Sequence, residues 1–365
     1  MATYRDLEID GSTVKALVDT SSDAGLGSAL WPSIGEYPIY DASLYQTLTD
    51  DEERNGRFRA ALRRLAPGKV VLDIGTGQHL NWARESVQCG AAHALAIEEM
   101  EESYRNASQK LRSLGLEKAI TLLHGSSASL EIEPKADVCV AEIIGSIAGA
   151  EGAAAILADA RRRHLAPGGV IVPHRCVTQA AAVCLRDVLD RHEVAFSPEA
   201  IKYLEKIFTW NRAPFDVRLR IRKPAQSAIL SNHAPVEILE FNGNLLIEQE
   251  ARVILTIDRP GRIDGILTWL QISCLPDERP LDALRDVTSW ASVYFPLFES
   301  EIPVDHGDTL DLVFRTALSD GGVHPDYALA ATLRTRHGEH SAAHTSPHHG
   351  QTFREHAVYR ALFSR

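Results

Sequence analysis

Nowhere does this chain carry an apolar run long enough to cross a bilayer, and it has no internal repeat, which excludes membrane-spanning helices and stacked-repeat architectures. No charged start followed by an apolar run marks the N-terminus as a secretory signal, so a cytoplasmic location is expected. Cysteine is sparse: Cys89, Cys139, Cys176, Cys184 and Cys274 are odd in number and lack CxxC spacing. Most sit in apolar strand-like runs, which excludes a disulfide framework and reads as free thiols in a reducing compartment. Positive charge is also short. Lys and Arg number 38 against 49 Asp and Glu, a net charge of -11. That disfavours nucleic acid as main partner, since phosphate binding needs a cationic footprint, and favours a cationic substrate.

What is present is an ordinary globular composition, 45% hydrophobic and 24% charged, in 365 residues, a length that suits two domains. Residues 1–30 have weak periodicity and read as an extension with one short strand, TVKALV, and a loose Ser/Gly/Asp cluster, DTSSDAGLGS. From Tyr37 to Leu65, apolar residues three or four apart predict one or two amphipathic helices. Strand and helix then alternate. KVVLDIG, HALAIE, AITLLHG, ADVCVAE and VIVP read as strands with helical segments between them, the pattern of a parallel doubly wound sheet. After Pro173 come short alternating runs, VTQAAAV, VEILEF, RVILTI, GILTWLQI, LDLVF and YALAATL, which predict an antiparallel sheet or barrel. SPEAIKYLEKIFTW (197–210) reads as an inserted helix, either a dimerisation arm or a surface helix of the barrel.

Chemistry concentrates at two places. DIGTG, Asp73 to Gly77, ends a strand and opens a helix, where backbone amides meet a nucleotide-like ligand; Glu98 ends the next strand, where a carboxylate accepts from ribose hydroxyls. A ligand-free tight turn is the bland alternative. Together the features indicate an adenosine-containing cofactor, with NAD and S-adenosylmethionine both open. The second place is AEIIGSIAGAE (141–151). Glu142 and Glu151 flank an apolar loop, and two buried carboxylates repel unless a cation sits between them. Guanidinium, planar and permanently charged with five donors, is the best match. Against this, Glu151 reads equally as a helix-start acid and Glu142 as a solvated strand-end acid. The clamp also requires that the two side chains converge and that no lysine or arginine of the chain itself neutralises either.

From about Trp31 onward the sequence resembles the protein arginine methyltransferase family. The two glutamates match the spacing of its double-Glu loop, VVLDIGTG its first cofactor motif, AIE its ribose-binding acid, and HLAPGGVIVP the segment ending in a cis proline, here Pro173. DEERNGRFRAAL resembles the helix that folds over the cofactor, with Arg54 on the arginine that holds the methionine carboxylate. TSW, Thr288 to Trp290, is similar to the family's Thr-His-Trp loop against the substrate pocket. Four positions depart from the pattern. His79 replaces the third glycine, Ser289 the loop histidine, and Ala128 a glutamate near the adenine, which leaves Ser127 or Ser129 as substitutes. Ala153 marks the loss of bulky side chains from the double-Glu region. Scarce methionine, abundant alanine and Arg well above Lys look like a high-GC bacterium. The resemblance is closest to bacterial enzymes that methylate free L-arginine in natural-product pathways of the streptozotocin type.

The resemblance implies an α/β plus β fold. A class I Rossmann-like methyltransferase domain (31–172) is followed by an antiparallel β-barrel substrate domain (173–365) with a helical dimerisation arm at about 187–220, and the enzyme is a homodimer. It implies S-adenosylmethionine bound by Arg54, Asp73, Gly75, Gly77, Glu98 and Ser127, and a metal-free reaction at Glu142, Glu151, Ser289 and Trp290. The substrate is arginine, free or in a peptide, and neither nucleic acid nor membrane is a partner. A non-catalytic cofactor-binding scaffold is the alternative from another class. Trp210 and Trp269 read as core aromatics rather than pocket walls. The histidine-rich segment 334–356 reads as a solvated hairpin loop, since its spacing fits no compact zinc pattern.

Overall fold

The computed structural model describes residues 2–20, 27–35, 48–191 and 193–364; the first part of the helical stretch expected over 37–65, up to residue 47, and part of the Ser/Gly/Asp cluster lie outside them. The N-terminal extension forms two strands, β1 (Ala2–Ile9) and β2 (Ser12–Asp19), paired antiparallel as a hairpin. β3 (Ala29–Ser33) joins the antiparallel half of the molecule.

The α/β half is a five-stranded parallel sheet in which α1 (Glu52–Leu65) precedes β4 (Val70–Ile74), α2 (Asn81–Gln88), β5 (His93–Glu98), α3 (Glu101–Ser113), β6 (Ile120–His124), β7 (Ala136–Ala141), α4 (Ala153–Arg163) and β8 (Leu165–Val172). Strand order is β6-β5-β4-β7-β8. The continuous apolar runs read from the sequence are central strands covered on both faces: Val71, Leu72, Ala94, Leu95, Val138 and Cys139 are all buried. Register then places the chemistry. Ile74 lies beside Ile97 and Ala141, so Gly75, Glu98 and Glu142, the next residue of each strand, emerge along one edge at the point where strand order reverses. Asp51 caps α1 by accepting from Arg54 N at 3.0 Å.

Past Val172–Pro173, a cis bond, the antiparallel half begins with β9 (Arg175–Val183), α5 (Leu185–Val188), α6 (Ile201–Asn211), β10 (Arg218–Arg222), β11 (Ala234–Glu240), β12 (Gln249–Thr256), β13 (Gly261–Ile263) and β14 (Gly265–Ser273). It continues through β15 (Leu281–Asp282), β16 (Ser292–Pro296), β17 (Ile302–Val304), β18 (Thr309–Leu318), β19 (Pro325–Thr335), β20 (Gly338–Ser346), α7 (Ala357–Leu362) and β21 (Phe363–Ser364). The six runs expected as strands all lie in strands. Their ladders form a path β11-β9-β14-β16-β10-β3 and a second sheet β12-β18-β19-β20. Among the described residues these face one another as separate sheets rather than closing into one ring of hydrogen bonds.

The histidine-rich stretch is largely the β19–β20 hairpin. The inserted helix α6 turns Leu204, Ile207 and Phe208 inward. There they meet the N-terminal hairpin and the chain's last strand, for Phe363 sits 5.7 Å from Phe208, 5.1 Å from Phe353 and 5.6 Å from Phe196. Phe363→Ala removes the centre of this aromatic cluster and is expected to destabilise the protein by about 3 kcal/mol, read as a thermal midpoint several degrees lower. An unchanged midpoint would show that the cluster contributes nothing.

Candidate active site

Gly75 and Gly77 both adopt positive φ, 74° and 64°, a conformation that suits residues without a Cβ. Two carboxylates shape the turn around them. Asp73 is fully buried; its Oδ2 accepts from Thr76 Oγ1 at 2.6 Å and from Ala83 N at 2.8 Å. Its Oδ1 has no partner among the described residues. Burial raises its pKa to about 7, against the pull of the Thr76 and Ala83 hydrogen bonds. Asp73 thus braces the turn from beneath. Glu98 does so from the side, accepting from Gly77 N and from Met100 N, each at 2.9 Å. Burial raises its pKa, and those amides oppose the shift. Ser127, 8% exposed, is held through its carbonyl, 3.0 Å from Arg163 Nη2 and 2.8 Å from His164 Nε2. A glycine turn braced by acids at the strand ends fits an adenosine-bearing group.

The double-acid loop doubles back on itself. At Gly145 an added Cβ would lie 2.9 Å from Ala150 Cβ and 3.5 Å from Glu151 Cγ, so the segment after Gly145 folds back and lays Glu151 against Gly145. Ala150 N donates to Ile147 O and Gly152 N to Gly149 O, each at 2.9 Å, closing the turns. A second buried acid holds the loop from the antiparallel half. Glu237 Oε2 accepts from Gly149 N at 3.1 Å and from Thr178 Oγ1 at 2.8 Å, while Ala148 N donates to Thr178 Oγ1 at 3.0 Å. Burial raises the Glu237 pKa.

One requirement of the sequence reading is not met as stated. Arg54 Nη1 lies 3.1 Å from Glu142 Oε2, so one acid of the pair is already joined to a cation of the chain itself. The contact takes one oxygen, and among the described residues Oε1 has no partner. Arg54 Nη2 donates to Leu48 O at 2.8 Å, and the guanidinium lies 5.8 Å from the centre of the Trp290 ring. Burial raises the Glu142 pKa; Arg54 opposes this and Asp51 adds to it. Glu151 is partly exposed and keeps a polar partner of its own.

The Thr-Ser-Trp segment closes the third side. Asp51 Oδ2 accepts from Thr288 Oγ1 at 2.7 Å, Ser289 N at 2.6 Å and Ser289 Oγ at 2.8 Å, and Trp290 Nε1 donates to Ile144 O at 2.8 Å. Ser289 thereby meets the capping residue of α1, and Trp290 meets the double-acid loop. Asp51 escaped the sequence reading; its signal was the helix-capping Asp before Glu-Glu-Arg. Glu237 escaped it because the bulge between Pro235 and Glu237 shifts the alternation that would have marked an inward-facing charge.

No protein-family profile matches the chain. Among curated proteins it is 24% identical to protein arginine N-methyltransferase 1 of Saccharomyces cerevisiae, over 76% of this chain and 80% of that one. It is 26% identical to the arginine N(omega)-methyltransferase of Streptomyces achromogenes subsp. streptozoticus, over 73% of each. Its fold superposes on Arabidopsis thaliana protein arginine methyltransferase 10 with a TM-score of 0.68, at 20% identity, across 84% of this chain and 97% of that one. In sequence and in fold the chain is similar to protein arginine methyltransferases. A Trypanosoma brucei family structure, an enzyme–prozyme heterotetramer with S-adenosylhomocysteine, gives a TM-score of 0.66 at 15% identity, covering 84% and 98%. The glycine turn meets Glu98 and Arg54 meets Glu142 at the ends of the parallel strands, while Trp269 is a buried core residue.

Two outcomes follow. Glu98→Ala removes acceptors that hold the turn, and calorimetry is expected to show S-adenosylhomocysteine binding weakened by about tenfold or more; unchanged affinity would remove Glu98 from the cofactor site. For Asp73 the sign is set by a folded-state pKa of about 7 against an ordinary 3.8. Between those values the folded chain holds a proton that the unfolded chain has released, so stability falls as pH rises toward 7. Asp73→Asn abolishes that slope, which thermal midpoints between pH 5 and pH 8 on both proteins will reveal.

Proposed function

We propose that this protein is an S-adenosylmethionine-dependent N-methyltransferase that methylates a guanidino nitrogen of free L-arginine. The observation that carries the reading is the folded-back loop that lays Glu151 against Gly145, three residues after Glu142, at the strand ends that also carry the braced glycine turn. Cofactor and reaction class follow the family. The choice of free arginine is supported by the Streptomyces relative, by the net charge of -11, and by a composition suited to a bacterial natural-product setting. Protein and peptide arginine, the substrate class named for the yeast relative, is the second reading.

The bound cofactor supplies an electrophilic methyl group on a sulfonium. The chain's residues do the rest. Glu142, through Oε1, and Glu151 bind the guanidinium and orient it. They draw positive charge onto the nitrogens they contact, which leaves the remaining terminal nitrogen more electron-rich. Arg54 holds Glu142 in place from the opposite side and is positioned for the methionine carboxylate. Asp51, through Thr288 and Ser289, fixes the wall carrying Trp290. The scaffold reading fares worse, since a protein that only binds has no use for a second acid beside Glu142.

The reading extends to a reducing cytoplasm, supported by five free cysteines; no helix among the described residues is long and apolar enough to cross a membrane. It also extends to a homodimer through the arm at 187–220, where Trp210 remains 49% exposed.

Glu151→Gln is the cleaner test of the clamp. Glu142→Gln also releases Arg54 and is expected to weaken cofactor binding as well. In Glu151→Gln, turnover of L-arginine followed by mass spectrometry should drop by about a hundredfold or more, with S-adenosylhomocysteine affinity within about twofold. Turnover at the wild-type rate would eliminate the clamp.

A further inference from the structure

Two overlapping turns set the backbone at Glu151. Ala150 N donates to Ile147 O, and Gly152 N to Gly149 O, each at 2.9 Å. Glu151 is therefore the third residue of a turn that Gly149 opens, so where Gly149 stands decides where Glu151 stands. Gly149 is held in turn from the antiparallel half, its N–H donating to Glu237 Oε2 at 3.1 Å. The preceding Ala148 N donates to Thr178 Oγ1 at 3.0 Å, and that hydroxyl donates to the same Glu237 oxygen at 2.8 Å.

Register brings the two barrel side chains together. The bulge between Pro235 and Glu237 leaves Glu237 directly opposite Thr178, so both leave the same face of the sheet, and both are buried. A hydroxyl has one proton to give. Because Thr178 gives it to Glu237, its lone pairs are left for Ala148 N, and one carboxylate fixes two successive main-chain N–H groups of the loop. The other oxygen, Oε1, occupies the space beside Gly149, where an added Cβ would lie 2.8 Å from it. Gly152 has the positive φ that suits glycine and Gly149 does not, so what excludes a side chain at Gly149 is the acid lying against it.

We propose that Glu237 is a positioning residue for the methyl transfer, setting from the antiparallel half the turn that presents Glu151 to the substrate guanidinium. This rests on the arginine-methylating reading above and names the group outside the loop that decides where its second acid stands. Glu237 acts through Gly149 rather than on the reacting atoms. What it contributes is an acceptor at a fixed place, since both of its hydrogen bonds are received by Oε2. A buried N–H that loses its acceptor drives the backbone to move until it finds another, and a misplacement of about 1 Å costs on the order of a hundredfold in rate. The glycine turn braced by Asp73 and Glu98 has hydrogen bonds of its own, so cofactor affinity does not depend on Glu237.

Glu237→Met keeps the bulk of the side chain and removes the acceptor. Steady-state kinetics on the full chain, with sites counted by calorimetric binding of S-adenosylhomocysteine, should show kcat for L-arginine per site lower by on the order of a hundredfold, with S-adenosylhomocysteine affinity within about twofold. Glu237→Gln retains a side-chain carbonyl for Gly149 N and Thr178 Oγ1 and is expected to recover most of that loss. Gly149→Ala reaches the same turn from the loop side, its Cβ pressing on Oε1, and should lower kcat with Glu237 intact. Wild-type kcat per site in Glu237→Met, whatever its thermal midpoint, reveals a purely structural brace and overturns the proposal. Equal losses in Glu237→Met and Glu237→Gln overturn it too. Counting sites keeps the measurement decisive where a variant folds poorly. Absence of L-arginine turnover in the wild-type protein is a different result and overturns the underlying reading instead.

Discussion

A guanidinium buried inside a protein must find partners, and the candidate site is organised by how Arg54 finds its own. At 3% exposure, Arg54 reaches Glu142 on the loop after β7, a carbonyl just ahead of its own helix, and the neighbourhood of the Trp290 ring. Removing a partner from a buried charge costs several kcal/mol, so these three segments form one body. The same contact changes how the two acids are to be understood. They are not a bare pair awaiting an outside cation. Glu142 has one oxygen anchored within the chain, on Arg54.

The loop between those acids belongs to the α/β half by sequence and to the antiparallel half by support. Thr178 on β9 and Glu237 on β11 hold its backbone N–H groups, and Trp290 fastens to Ile144 O. Main-chain donors in an irregular loop need acceptors once water is excluded, and here the second domain provides them. The arrangement explains why a loop of Ile, Ala, Gly and Ser stays ordered. Small side chains let it fold tightly, and one buried acid and a threonine from across the boundary satisfy it.

Much of this could be read beforehand wherever the signal was local. The continuous strands KVVLDIG and ADVCVAE, the strand-end position of Glu98 and the alternating runs after Pro173 each follow from the period of the pattern around them. What escaped depends on contacts distant in sequence. TVKALV gave one strand of the N-terminal hairpin, but its partner, Ala2–Ile9, is mostly exposed and lacks a clear apolar face. Asp51 looks like any helix cap until Ser289 arrives from the far end of the chain, and the pairing of Arg54 with Glu142 joins a helix to a loop 88 positions away. The family pattern named both residues without revealing that they touch.

The first sheet of the molecule is completed by its last strand, since β2 pairs with β21 through Lys15 with Ser364 and Ala16 with Phe363. During synthesis the opening hairpin emerges early, yet the residues that finish its sheet and cover Phe196 and Phe208 leave the ribosome late. An apolar face therefore waits uncovered until residues far downstream of it have been made, the circumstance in which nascent chains stick to one another. Chaperone demand and recovery after chemical denaturation should both be governed by the arrival of that final strand.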